Sequence, residues 1–134
     1  FKRKRCNAHG PLRVRVYAHH GYGGGRLTGS KLNKVMALHQ IADAEIYMMG
    51  HLHDTAFTPK TKFDITAKGQ LIERDIIYAL VGAHLRTYVQ SPGQVYGEEK
   101  AYTPTPHGLE KITISFQTRQ GVEIPRCAYS WVPL

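Results

Sequence analysis

From Leu12 to Ala18 the chain alternates, with Leu12, Val14, Val16 and Ala18 on one side and Arg13, Arg15 and Tyr17 on the other. A period of two is that of a β-strand. The alternation stops at His19-His20-Gly21, and Gly21-Tyr22-Gly23-Gly24-Gly25 then supplies glycines that permit positive φ and tight turns. Beyond them, Thr28 or Ser30 is a candidate N-cap for a helix whose apolar stripe is Leu32, Val35, Met36 and Ile41, running to about Ala42. The short apolar run Ala44 to Met49 has the composition of a buried strand and breaks off at Gly50-His51-Leu52-His53-Asp54. The rest is mostly β. One hairpin is expected from Phe63–Thr66 through a Lys68-Gly69 turn to Leu71–Val81, and another from Lys111–Arg119 through Gln120-Gly121 to Val122–Trp131. Between the hairpins, Ser91-Pro92-Gly93 and Thr103-Pro104-Thr105-Pro106 mark an irregular stretch.

The pattern predicts an α/β fold with a mixed sheet, in which two strands joined by a crossover helix lie side by side. Each strand would then deliver histidines at its C-terminal end, the place where open α/β sheets collect ligands. His51 and His53, two apart at a strand-to-loop transition, can point both imidazoles into one crevice together with His19 and His20. Neutral imidazole is the common nitrogen ligand for Zn, Mn or Fe. The alternative is that His51 and His53 are loop histidines bonded to backbone carbonyls. Of the eight histidines, His9, His39, His84 and His107 carry no such placement.

At 134 residues, 42% of them hydrophobic, the chain is one domain's worth of globular polymer, taken as a single, partial domain over 1–134. No stretch nears the roughly 20 apolar residues of a membrane span, and the basic run Lys2-Arg3-Lys4-Arg5 is not followed by a signal-type apolar segment. Cys6 and Cys127 have neither CxxC spacing nor a disulfide framework around them, so a cytoplasmic setting is expected. A net charge of +8 favours phosphorylated substrates or nucleic acid as partners. The start at Phe1 fits a chain that is part of a longer one.

His19-His20-Gly21, a helix, and a strand ending in Gly50-His51-Leu52-His53 together resemble the last two motifs of the calcineurin-like metallophosphoesterases. The Gly-rich continuation after His20 is similar to that of phage-type members, for which the compartment would be the host cytoplasm. The resemblance covers Val14 to Asp54 and implies the C-terminal half of an αββα sandwich from a binuclear phosphomono- or phosphodiesterase, possible nucleases included. It implies His51 and His19 on the second metal, His19 preferred over His20, and His53 on the first. His20 would hydrogen-bond the phosphate or leaving group. The two divalent ions of a complete enzyme, Mn, Fe or Zn, would orient and polarise the phosphate, generate a hydroxide nucleophile and stabilise the leaving oxygen. Arg26 and the amides around Gly24 could add positive potential for phosphate at a helix N-terminus, although such glycines also serve as plain turns.

The family's first three motifs, which supply the carboxylate ligands, are absent, and the 18 residues before His19 cannot hold them. Cations about 3.5–4 Å apart need a bridging carboxylate, and Asp43, Glu45 and Asp54 do not stand in the motif positions. The chain alone is therefore expected to be inactive, with no requirement that it hold metal by itself. An uncovered sheet face and edge would favour self-association or pairing with an N-terminal half. The rival expectation is a non-catalytic basic module that binds nucleic acid or a protein partner, whose binding falls steeply with salt and ignores chelators.

Overall fold

A computed structural model describes residues 13–82, 108–119 and 122–133. Strand β1 (Val16–His19) is followed by helix α1 (Thr28–Ala37), a 3-10 turn over Leu38–Gln40, and strand β2 (Ile46–Met49). Strands β3 (Ala56–Ile65) and β4 (Leu71–Leu80) form one hairpin, and β5 (Gly108–Arg119) and β6 (Val122–Pro133) another. The first four strands make a mixed sheet in the order β1-β2-β4-β3, parallel across β1, β2 and β4 and antiparallel at β3. The expected α/β class with a mixed sheet is therefore present. The stretches around residues 91–93 and 103–106, the Gln120-Gly121 turn, Cys6, the 2–5 basic run, His9, His84 and His107 lie outside the described residues.

Register explains the core. Tyr17 pairs with Tyr47 and Tyr47 with Tyr78, so three tyrosines cross the sheet side by side, with ring centroids 6.4 and 5.0 Å apart. They lie on the face covered by α1, where Val35, Leu38, Met49, Leu52, Ile76 and Leu80 complete the buried cluster. The Tyr47 hydroxyl donates to the Ala42 carbonyl and accepts from the Ala44 amide, closing the helix-to-strand connection. The first strand is shorter than the Leu12–Ala18 alternation predicts, since among the described residues it begins only at Val16 and runs to His19, and its helix-covered side is that of Tyr17 and His19. Val16, at 54% exposure, and Ala18 are on the opposite side.

Two local expectations change. Neither Thr28 nor Ser30 is the N-cap: Leu27 holds that position, Thr28 is the first helical residue, and Ser30 Oγ donates back to the Leu27 carbonyl. The helix also ends earlier, because the 3-10 turn tightens the winding after Ala37. Three residues per turn in place of 3.6 shift the phase of the stripe, so Leu38 is buried and Ile41 is turned to solvent.

The first strand of the β3–β4 hairpin starts earlier than the apolar pattern indicates, because β3 is an edge strand among the described residues and tolerates Pro59, Lys60 and Lys62, while β4 matches its expected span to within a residue. The β5–β6 hairpin packs on the sheet face opposite α1. Phe57 and Tyr129 stack at 4.1 Å, Arg126 bonds Asp75 at 2.5 Å, and Ile124 is buried.

At the N-terminal end of β2 and β4 an ion cluster stands where apolar packing gives out. Glu45, only 3% exposed, takes Arg15 Nη2 at 2.7 Å, the Arg15 amide at 2.7 Å and Arg74 Nη1 at 2.9 Å. Asp43 binds the same two guanidiniums at 2.8 and 2.5 Å. Burial alone would push the Glu45 carboxyl up, but the Arg15 hydrogen bonds and the two cations outweigh it and hold it below its ordinary value. The Arg74 hydrogen bond holds Asp43 down as well.

Arg74→Met would leave the buried carboxylate with one cation and should cost about 3 kcal/mol in urea denaturation at neutral pH. Both folded-state carboxyls titrate below their unfolded values of 3.8 and 4.5. Their stabilisation is therefore present above those values and is lost as pH falls through the depressed ones. The deficit of the variant should shrink in the same acid range.

Candidate functional site

Parallel pairing in register sets His19 opposite Met49 at the ends of β1 and β2. The next residues, His20 and Gly50, leave the sheet together. The Gly50 amide donates to the His19 carbonyl at 3.3 Å, so the two exit turns are hydrogen-bonded to each other. The rings of His20 and His51 come to rest 5.0 Å apart, inclined at 57°, and both residues are exposed to solvent. The sequence places histidines at neighbouring strand ends, and the structure brings this pair together.

Glycine is required at Gly21. Its φ is +104°, and a Cβ there would stand 2.6 Å from the Gly50 carbonyl oxygen and 2.9 Å from the His51 Cβ. Only the missing side chain lets one turn lie on the other. On the second strand, the Leu52 amide donates to the Gly50 carbonyl at 2.7 Å around His51, whose φ is 64°. That is a γ-turn with a non-glycine residue at its centre, a strained arrangement. His53 is also left-handed, with φ of 47°. Two such residues in three cost of order 1–3 kcal/mol each and persist only where their surroundings hold them.

The holding groups are visible. Leu52, between the two histidines, is 6% exposed and belongs to the core cluster. Asp54 accepts from Thr28 Oγ1 at 2.7 Å and Lys31 Nζ at 3.2 Å, tying the loop to the first turns of α1, while its other oxygen accepts the Thr55 amide at 2.9 Å. Nothing in the residues around Asp54 announces this role beyond its polarity.

His19 is committed differently. Its Nδ1 accepts the Gly21 amide proton at 2.9 Å, and its ring meets Tyr22 edge-on at 6.0 Å. In a neutral imidazole, one nitrogen accepting leaves the proton on the other. In this pose His19 therefore presents an Nε2–H donor, suited to an oxygen, and ligating a metal requires it to give up Gly21. The glycine loop is held by Lys34, whose Nζ donates to the Gly24 carbonyl at 2.7 Å and the Tyr22 carbonyl at 3.3 Å. Arg26 is exposed beside it. Asp43 and Glu45 sit in the ion cluster at the opposite end of the strands.

Beside the histidines, Ala18, His19, His20, Met48, Gly50 and Val81 line an open, largely apolar pocket of about 330 Å³. Among the described residues, no group of three or more His, Cys, Asp or Glu side chains is gathered closely enough to hold a metal ion. Also among them, no helix is long and apolar enough to cross a membrane. Comparison with protein-family models, with curated proteins and with solved structures finds no match.

Gly21→Ala should destabilise the fold by about 1–3 kcal/mol and separate the two turns, read as lost contacts between the His20 and His51 rings by NMR. Gly24→Ala is the control: nothing lies within 4 Å of its would-be Cβ, and a change within about 0.5 kcal/mol is expected.

Proposed function

We propose that this chain is the C-terminal half of a binuclear metal-dependent phosphoesterase acting on phosphomono- or phosphodiesters, with His51, His53 and one histidine of the His19–His20 pair as its nitrogen ligands. The observation that carries the reading is the approach of the His20 and His51 rings at adjacent strand ends. Two imidazoles on one tetrahedral ion, with metal–nitrogen bonds of about 2.1 Å, have ring centres about 5.3 Å apart, close to the 5.0 Å here. The geometry favours His20 as the partner of His51 and leaves His19 as a hydrogen-bond donor, an exchange of the two roles that the family resemblance suggests.

The donor set proposed here is imidazoles without a bridging carboxylate, and in this structure the described histidines are not gathered into a three-ligand group, so ligation requires His53 to join the His20 and His51 rings. Metal ions, when bound, would supply Lewis-acid polarisation of the phosphate and a nucleophile near neutral pH. The chain's own contribution is to fix the ring positions through Gly21, Leu52 and Asp54. His19 Nε2–H can donate to a phosphoryl or leaving-group oxygen, and Arg26 adds positive charge near the glycine loop. The carboxylate ligands would come from a partner segment carrying the missing motifs, and a basic chain of charge +8 suits an acidic partner of that kind. Pairing along β1, where Val16 is 54% exposed, would also cover apolar surface.

The test is hydrolysis of bis(p-nitrophenyl) phosphate with Mn²⁺, by the chain joined to a segment that supplies the carboxylate motifs. His51→Ala and His53→Ala should each lower kcat at least about 100-fold, since each removes a direct ligand, and chelation should abolish the activity. Hydrolysis that survives both substitutions would refute the reading.

A further inference from the structure

The loop that presents His51 and His53 does not hold its own shape. Both histidines have left-handed backbones and no glycine relieves them, so something outside the loop must keep them there. Leu52 anchors the middle in the core. At the far end Asp54 makes the connection to α1, through Thr28 and Lys31. The clamp is well screened from water: the Lys31 and Asp54 side chains are 11% and 20% exposed. A partly buried ion pair with a second hydrogen bond is more constraining than a surface pair. The same helix holds the other half of the site, because Lys34, one turn after Lys31, binds the carbonyls of Tyr22 and Gly24 just beyond His19 and His20. One face of α1 therefore grips both histidine turns.

We propose that Asp54 is a positioning residue. By accepting from Thr28 and Lys31 it locks the His51–His53 turn into its left-handed form and holds the His51 ring at the His20 ring. The inference rests on the reading of these histidines as the site, but the geometry it claims can be measured without metal or substrate. Asp54 touches no reacting group in this account and acts only through the histidines.

The experiment is NMR on the chain with Asp54→Ala, Asp54→Asn and the pair Thr28→Ala with Lys31→Met, followed by titration with Zn²⁺ alone. Wild type should show a nuclear Overhauser contact between the His20 and His51 rings. Asp54→Ala should lose it while the amides of β2 and β4 keep their protection from hydrogen exchange. Asp54→Asn, which keeps one oxygen to accept from Thr28 and Lys31 but has neither the charge nor the acceptor for the Thr55 amide, should weaken it less than Asp54→Ala. Zn²⁺ affinity should drop about tenfold in Asp54→Ala, the range for loss of a group that orients ligands, and fall less in Asp54→Asn. If Asp54→Ala fails to fold, the double substitution, which leaves Asp54 in place without its donors, should lose the ring contact by itself. Retention of that contact in a folded Asp54→Ala or in the double variant overturns the proposal, as does its absence from wild type. Loss of the contact in the variants, in a chain that hydrolyses no phosphodiester with its partner segment, would support the clamp and count against the phosphoesterase reading alone.

Discussion

In-register parallel pairing between β1 and β2 is the constraint on which the rest of this structure depends. It sets Val16 against Ile46 and His19 against Met49, so both strands end at the same level and both histidine turns leave the sheet at one edge. A parallel pair cannot be closed by a tight hairpin. The chain must cross over, and α1 both makes the crossover and supplies Val35, Leu32 and Met36 to the tyrosine ladder beneath it. A slip of one residue would send Tyr17 and Tyr47 to opposite faces, and it would separate His20 from His51.

The two ends of these strands solve different problems. At the N-terminal end, Glu45 and Asp43 are neutralised by Arg15 and Arg74 in a cluster that links three strands or their approaches. Its charges are satisfied and stabilise register, with no lone carboxylate left over for chemistry. At the C-terminal end the polar groups are imidazoles and backbone, the turns are tight, and strain is tolerated at His51 and His53. Local strain held by the surrounding packing is a common feature of functional sites. The asymmetry along four-residue strands is what makes the histidine end the candidate site.

Much of the fold was legible because period and punctuation agree. Alternation before His19, the Gly-rich turn, the helical stripe and the apolar run ending at Gly50 fix a strand, a helix and a second strand in order, and Lys68-Gly69 marks the first hairpin. The misreadings have physical causes. Ile41 follows a 3-10 turn that no apolar spacing announces. Val16 and Ala18 look like core positions by hydrophobicity, yet the tyrosines of three strands line the other face. Within the site, the presence of His19, His20, His51 and His53 could be read from spacing. Which ring meets which could not, because that depends on the Gly21 amide capturing His19 Nδ1 and on a φ of +104°. The role of Asp54 is hidden in the sequence for a similar reason: its partners lie more than 20 positions earlier in the chain.

If the strand ends of β1 and β2 are the nitrogen half of a metal site, as proposed, His51 and a histidine of the His19–His20 turn share an ion. The most direct measurement is a crystal structure of the chain grown with Zn²⁺, with the ion located by its anomalous scattering. A peak about 2.0–2.1 Å from a ring nitrogen of His51 and of a histidine in the His19–His20 turn is expected. An ion bound elsewhere, with the His20 and His51 rings more than about 10 Å apart, beyond any shared ligation at those bond lengths, would contradict it.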